Sequence, residues 1–327
     1  MEKIFQKLSL ASASLVFIIL IGIFITLFNS SKLAIDEYGF DFLINPDWNK
    51  EVPLVAVENA VPAVFDITDD ENDEMIIDED DDDVIADDEL IIDEDSVSTT
   101  KTVYGGLVPI VGTLLTTLIA LVFSLPIAMG IAVFLAEIAP KNISNVVGMA
   151  IELLAAIPSI IFGMWGLYYF APIVADIVGG YQVSLLTAGL VLGVMILPFM
   201  AAITRDSMNT TPAVLKESAY ALGATKFEVI KDIIFPYSKV GIIGSIILAL
   251  GRALGETMAV AFLIGSIFVL PGAINDPTIS IPVAMANNFG EASGLGESAL
   301  FYLALILFVI SFGVISLAKF YFLKKAN

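Results

Sequence analysis

The sequence predicts an all-α, polytopic membrane protein with six transmembrane helices. Hydrophobic side chains make up 57% of the 327 residues and charged ones only 16%, whereas about a quarter of the residues of a soluble protein are charged. The mean hydropathy is +0.90. A helix needs about 20 apolar residues to cross a bilayer. Stretches of that length lie approximately at 10–28, 108–136, 146–174, 183–203, 241–269 and 299–320.

The first apolar stretch is interpreted as a retained helix within an N-terminal segment, 1–28. A secretory signal has an apolar region of about 7 to 15 residues followed by a small-x-small cleavage site. Here the stretch is longer, and the residues after it, from Asn29 to Ser31, do not form such a site. The segment is therefore expected to remain as the first span.

The distribution of basic residues predicts the orientation of the spans. Lys and Arg in short loops stay in the cytoplasm. With the N-terminus inside, 11 of the 15 basic residues lie on the cytoplasmic side, and the opposite orientation would reverse this ratio. We therefore expect both termini in the cytoplasm, the C-terminal tail being residues 321–327.

The loop after the first helix, 29–106, is expected outside the cytoplasm and contains an acidic insertion at 66–95. The insertion holds 18 of the 36 acidic residues and no Lys or Arg, so it accounts for most of the formal charge of −21. Blocks of like charge are usually solvated and self-repelling. A divalent-cation or partner-docking site is the alternative, since carboxylate oxygens suit hard cations.

Composition excludes several classes of function. The chain contains no Cys and no His, which removes thiolate chemistry, the commonest general base and the commonest zinc ligand. We expect no metal site and no catalytic site in this chain. A nucleic-acid partner is not expected either, because it requires a basic surface.

The cytoplasmic loop 204–239 is predicted to form two short helices hinged at a glycine. Thr211 and Pro212 are read as an N-cap and first-turn pair, and Gly223 as the C-terminal αL residue. Thr225 and Glu228 have the spacing of a capping box that opens the second helix, and Pro236 is expected to end it. The apolar positions recur at helical spacing and are Leu215, Ala219, Leu222, Phe227, Ile230 and Ile234. They could pack on the chain's own spans or on a partner.

The same loop resembles the EAA loop of ABC-importer permeases. That pattern is Glu-Ala-Ala, three residues, Gly, nine residues, Ile-x-Leu-Pro, and the matching positions here are Glu217, Ser218, Ala219, Gly223, Ile233 and Pro236. The departures are Ser218 for Ala and Phe235 for Leu, which are mild changes. The resemblance implies coupling helices that dock on a separate cytoplasmic ATPase, so that ATP and Mg would be bound by the partner and no cofactor by this chain. The sequence also contains no Walker A pattern.

Two further stretches, 155–166 and 250–260, are similar to segments of phosphate-specific ABC permeases of the PstC type. The resemblance covers about 103–320 and implies a type I ABC-importer permease core, 107–320, in a bacterial plasma (inner) membrane. It also implies the partners: a PstA-like second permease, a PstB-like ATPase dimer, a PstS-like extracytoplasmic phosphate-binding protein and phosphate itself. The acidic insertion is not part of this pattern.

Arg252 and Glu256 are the candidate substrate-pathway residues, because charges within a span are costly and mark a pathway or a pair. Four residues apart in the predicted fifth span, they would share a helix face. Either they neutralise each other and fix helix packing, or Arg252 offers forked hydrogen bonds to phosphate oxygens while Glu256 orients it. The resemblance favours the second interpretation. Glu152, in the third predicted stretch, is given a capping or interfacial role.

The predicted function is the membrane permease subunit of an ATP-driven phosphate importer, forming half of the pathway. The alternatives are a permease for molybdate or sulfate, a symporter driven by an ion gradient, and a membrane sensor or scaffold that docks through its acidic loop. A symporter would leave the EAA-like loop unexplained.

Overall fold

The computed structural model describes residues 2–53 and 100–324, so the predicted acidic insertion, 66–95, lies outside the described residues. The chain divides into a larger unit, Met1–Trp48 with Tyr104–Asn327, and a smaller one, Asn49–Val103. Of the smaller unit, the structure describes residues of two paired strands, β1 (Trp48–Pro53) and β2 (Thr100–Tyr104).

The described part of the larger unit is mainly helical. Its α-helices are α1 (Glu2–Ser30), α2 (Lys32–Tyr38), α3 (Leu107–Val133), α4 (Lys141–Ala155), α5 (Ser159–Trp165), α6 (Ala171–Val178), α7 (Leu185–Asn209), α8 (Ala213–Ala221), α9 (Lys226–Glu228), α10 (Phe235–Leu254), α11 (Met258–Ala261), α12 (Ile281–Asn288) and α13 (Leu295–Lys324). A 3₁₀ turn, Gly39–Leu43, follows α2, and three π-helical segments, Phe134–Ile138, Gly166–Phe170 and Val229–Ile234, extend or join neighbouring helices.

Six helical stretches of the described chain are long and apolar enough to cross a membrane, which confirms the predicted fold class and number of spans. They are Ile4–Ser30, Leu107–Ile138, Ser159–Val178, Leu185–Asn209, Lys226–Leu254 and Leu295–Phe320. Their positions agree with the predicted stretches except in the third and fifth.

The third predicted stretch is two elements rather than one helix. The helix α4 ends at Ala155, and the span begins afresh at Ser159, with Pro158 in an extended conformation between them. Proline disfavours helical geometry in the residue before it, so the apolar run is divided at this point. Glu152 therefore belongs to α4 and not to the third span.

The fifth predicted stretch was placed too far along the chain. The helix α10 ends at Leu254, capped by Gly255, and the apolar residues that follow do not continue across a bilayer. They turn back, with the Thr278 amide donating to the Ile264 carbonyl at 2.8 Å. Leu263 and Ile264 are fully buried, so their hydrophobicity serves packing inside the protein. Hydropathy alone does not separate such a segment from a lipid-facing helix.

The core lies around α7, which packs against α3, α4 and α10. Gly189 and Gly193 face α3, and a Cβ at these positions would lie 2.6 Å from Ile119 and 2.8 Å from Phe123. Small residues at this spacing let two membrane helices approach closely. The α3–α7 pair is therefore a tightly fitted centre around which the other helices are arranged.

Candidate functional site

The loop 204–239 forms the first of the two short helices that its sequence predicts, α8, and the second begins as predicted, at α9 after the Gly223 hinge, but is not short. The φ angle of Gly223 is +88°, a conformation in which glycine is the least strained residue. Thr225 and Glu228 form the predicted capping box. The predicted N-cap was wrong by one residue: Pro212 occupies that position, without a side-chain cap, and the buried Thr211 hydroxyl has no hydrogen-bond partner within the described part of the chain.

Pro236 does not end the second helix. From Lys226 the chain is helical as far as Leu254, with Pro236 in the first turn of α10 directly after the π-helical segment Val229–Ile234. Proline lacks the amide hydrogen that a helix interior needs, and a change of helical register before it accommodates that loss. The loop is thus joined rigidly to the fifth span.

The predicted apolar face of the loop divides into two sets. Ile230 and Ile234 are buried in a cluster with Ala132 and Met208 from the ends of α3 and α7, and Ala219 packs against that cluster. Leu215, Leu222 and Phe227 remain exposed. Together with Val214, which was not among the predicted positions, they are called here the exposed loop set. Leu222 is 90% exposed and Phe227 72%. The loop therefore packs on its own spans through one set and leaves the second uncovered in this chain.

Among the positions of the EAA-like motif, Glu217, Ser218, Gly223 and Pro236 are exposed, whereas Ala219 and Ile233 are half-buried. The neighbouring Lys216 forms an ion pair with Glu137, at the end of the second span, with 2.5 Å between Nζ and Oε1. Glu217, Ser218 and Ala219 thus lie on α8, a helix with one exposed surface and one ion pair to the end of the second span.

Arg252 and Glu256 do not share a helix face, because α10 ends at Leu254 between them. Arg252 is exposed, and no ion pair joins it to Glu256 in the part of the chain that the structure describes. The Glu256 carboxylate instead accepts the Ala259 amide at 3.3 Å, in the first turn of α11. The interpretation of the two charges as a neutralising pair, and that of Glu256 as the group that orients Arg252, are both inconsistent with this geometry.

Glu256 lines a small pocket between α3 and the segment before α12, called here the polar pocket. Its hydroxyl-bearing walls are formed by Thr113, Thr116 and Thr117 of α3 together with Ser280 before α12. All four are nearly fully buried, and the volume of about 10 Å³ is enough for one water molecule. The Ser280 hydroxyl has no hydrogen-bond partner among the described residues. The pocket therefore contains a hydroxyl that is available for hydrogen bonding and a carboxylate, that of Glu256.

The pocket is closed by the segment before α12. A Cβ on Gly112 would lie 2.0 Å from the Ile279 carbonyl oxygen, and the Ile281 amide donates to the Thr113 hydroxyl at 2.8 Å. The sequence reasoning missed this site, although three threonines at positions i, i+3 and i+4 of an apolar span share one helix face and are a readable signal. Ser280 lies beside the threonines of α3 because the chain between α11 and α12 turns back toward them. No local sequence pattern indicates this proximity.

Glu152 takes an interfacial position, as its sequence context suggests, but not a capping one. Its carboxylate accepts a hydrogen bond from Arg205 of α7 at 3.0 Å, and the same guanidinium contacts Asp206 at 2.9 Å. Arg205 lies over Gly148, where a Cβ would be 2.3 Å from its Nη1 atom. The ion pair thus connects α4 to the C-terminal end of α7.

Comparison with known proteins gives consistent matches. The family model for binding-protein-dependent transport system inner membrane components matches residues 128–325. The phosphate transport system permease protein PstC of Mesorhizobium japonicum is 36% identical over 344 aligned positions, covering 99% of this chain and 90% of that protein. The PstC protein of Pasteurella multocida is 49% identical over 236 residues, covering 66% of this chain and 74% of that protein.

The fold is also similar to that of a solved ABC transporter. A chain from the inward-facing MetNI methionine ABC transporter superposes with a TM-score of 0.51 at 18% identity, covering 66% of this chain and 92% of that one. At this identity the similarity concerns the fold alone. It agrees with the predicted permease architecture.

Proposed function

Because this chain belongs to the family of binding-protein-dependent transport system inner membrane components, we propose that it is the permease subunit of an ATP-driven importer of inorganic phosphate. The assignment of phosphate as the substrate rests on the 36% identity with a phosphate transport permease across 99% of the chain. The chain is a multi-pass transport component with no enzymatic role of its own.

The energy source in this proposal is a separate ATPase of the PstB type, a dimer that binds ATP and Mg. The exposed loop set offers apolar surface to such a partner, and apolar surface gathered into a patch is typical of a protein-contact site. Leu222 and Phe227 flank the Gly223 hinge. ATP-driven closure of the ATPase would press on α8 and α9, and the continuous helix from Lys226 to Leu254 would transmit that movement into the membrane.

Arg252 is the residue proposed to meet the substrate. A guanidinium near the end of a membrane helix, with no ion pair to any residue that the structure describes, is costly to maintain without a function, and its planar fork matches two oxygens of a tetrahedral oxyanion. Arg252 is exposed in the isolated chain, so it is available to a route formed with a second permease of the PstA type. Arg252 would attract phosphate electrostatically. A single arginine would bind it weakly enough for the phosphate to be released again.

Glu256 is proposed to border the same route from the polar pocket. Phosphate at neutral pH carries at least one hydroxyl hydrogen, which a carboxylate accepts, whereas the hydroxyls of Thr117 and Ser280 donate to its other oxygens. The pocket is too small to hold phosphate in this conformation. The proposal therefore requires the segment before α12 to move away from α3 during transport.

The proposed orientation places both termini and the α8–α9 loop in the cytoplasm, and the β1–β2 ribbon outside. The basic residues support it, since 11 of 15 then lie on the cytoplasmic side. A phosphate-binding protein of the PstS type would deliver the substrate to the outer surface.

The test is uptake of labelled phosphate by vesicles that contain both permeases and the ATPase, with the loaded binding protein outside. We expect ATP-dependent uptake that molybdate and sulfate do not displace. Arg252→Gln is expected to abolish uptake while assembly with the ATPase persists, and Lys141→Gln, a substitution at an exposed cytoplasmic residue, is expected to preserve both. Normal uptake by Arg252→Gln would remove Arg252 from the route. Uptake driven by an ion gradient without ATPase would refute the proposed function.

A further inference from the structure

The ion pair between Lys216 and Glu137 joins the cytoplasmic loop to a different membrane span. Lys216 lies in α8, and Glu137 lies in the π-helical segment that extends α3. The two residues are 79 positions apart in the chain, and 2.5 Å separates Nζ from Oε1. Only 10% of the Glu137 side chain and 21% of the Lys216 side chain are exposed.

The helix α8 has few other attachments to its own chain. None of its nine residues is buried. The backbone leaves helical geometry at both ends of α8: Pro212 precedes it, and Gly223, which has a positive φ, follows it. Ala219 provides apolar contact with the cluster at the ends of the spans, and the Lys216 ammonium provides the directed contact with α3.

Glu137 in turn requires this partner. A carboxylate that is 10% exposed at the end of an apolar helix has lost most of its hydration, and a buried charge without a partner is strongly unfavourable. The charge-assisted hydrogen bond from Lys216 compensates for the hydration that the Glu137 carboxylate loses. The contact therefore resists separation when α8 is displaced, and α3 tends to follow.

The helix α3 carries the wall of the polar pocket. Thr113, Thr116 and Thr117 lie on it, and the helical stretch from Leu107 to Ile138 joins them to Glu137. The loop already reaches α10 through the continuous helix from Lys226 to Leu254. A second connection, through Lys216, would move α3 together with α10.

We propose that the Lys216–Glu137 ion pair is the mechanical link through which the cytoplasmic loop moves α3 and so opens the polar pocket. Both are positioning residues, and neither contacts the substrate. The proposal rests on the proposed function, because it assigns a role to movements that the ATPase imposes. Its measurable quantity is the amount of phosphate transported per ATP hydrolysed.

The first test compares Lys216→Met, which retains the aliphatic stem, with Lys141→Met as the control at an exposed lysine on the same side. Lys216→Met is expected to keep basal ATP hydrolysis and to lower the amount of phosphate transported per ATP several-fold, because hydrolysis no longer moves α3. Lys141→Met is expected to leave the ratio unchanged. An unchanged ratio in Lys216→Met would overturn the proposal.

A second test works even if that variant assembles poorly. The chain contains no cysteine, so a Glu137→Cys/Lys216→Cys protein, assembled with cysteine-free partners, can be bridged by a short bismaleimide. The unbridged protein is expected to transport little phosphate per ATP, and bridging should restore the ratio in the same sample. The parental chain treated with the reagent provides the control. Identical ratios before and after bridging would overturn the link.

These outcomes are separable from failure of the proposed function. A parental complex that hydrolyses ATP but takes up no phosphate would refute the proposed function itself. Normal parental uptake, together with variants whose ratio is unaffected, would refute only the link.

Discussion

Truncation of the exposed loop set should weaken binding of the ATPase without destabilising the chain. The change is Leu222→Ala combined with Phe227→Ala. Leu222 is 90% exposed and Phe227 72%, so neither side chain contributes much apolar burial to the fold of this chain. Their apolar surface remains available for a partner.

The magnitude follows from that exposure. Full burial of a leucine or phenylalanine side chain is worth about 1.5–3 kcal/mol, and each 1.4 kcal/mol changes a dissociation constant about tenfold. Each substitution should therefore weaken ATPase binding by roughly tenfold or more. Additivity is not assumed, because Leu222 and Phe227 flank the same hinge.

The assay is titration of the detergent-solubilised permease pair with the ATPase, alongside thermal unfolding of the permease alone. The matched control is Ile234→Ala, a fully buried residue of the same loop, which should destabilise the chain by about 2–5 kcal/mol. ATPase binding with unchanged affinity in the double variant would refute the assignment of this surface. Loss of thermal stability in that variant would refute the inference that its side chains are uncovered.

Three further substitutions test the packing around the site. Gly112→Ala should lower the free energy of unfolding by about 1–3 kcal/mol, seen as a lower midpoint of thermal unfolding, because its Cβ would lie 2.0 Å from the Ile279 carbonyl oxygen. The control is Gly130→Ala on the same helix, which meets no neighbour and should be neutral. Phe42→Ala, at a fully buried position, should cost about 3–5 kcal/mol, and Phe40→Ala, 85% exposed, should cost little by the same measurement. Glu152→Gln should change stability by no more than about 1 kcal/mol and less still at high salt, because that carboxylate is 60% exposed; a larger loss would contradict the weak contribution assigned to it.

The sequence predicted the features that depend on local chemistry. The Gly223 hinge and the capping box of Thr225 and Glu228 are both present, because each is specified by residues within one turn. The number of spans was correct for the same reason, since about 20 apolar residues in succession define a span without reference to the rest of the fold.

The errors arose where distant residues decide the structure. The apolar run after Leu254 looks like the continuation of a helix, yet Leu263 and Ile264 are apolar because the returning loop buries them. The Lys216–Glu137 pair joins residues 79 positions apart, and the Ser280 hydroxyl meets the threonines of α3 only because that loop returns. Neither contact leaves a periodic signal in the sequence.

The end of α10 at Leu254 has a consequence for the two intramembrane charges. On one continuous helix, residues four apart keep a nearly fixed separation, and an arginine held beside a glutamate would be neutralised at every stage of transport. Because the helix ends between them, Arg252 belongs to the helical stretch that continues from the α8–α9 loop, whereas Glu256 contacts α11 and lines the polar pocket. In the proposed mechanism, movement of that loop would change the distance between this cation and this anion. An anionic substrate would then meet Arg252 without a competing carboxylate at one stage and with Glu256 nearer at another, which provides a physical basis for binding followed by release.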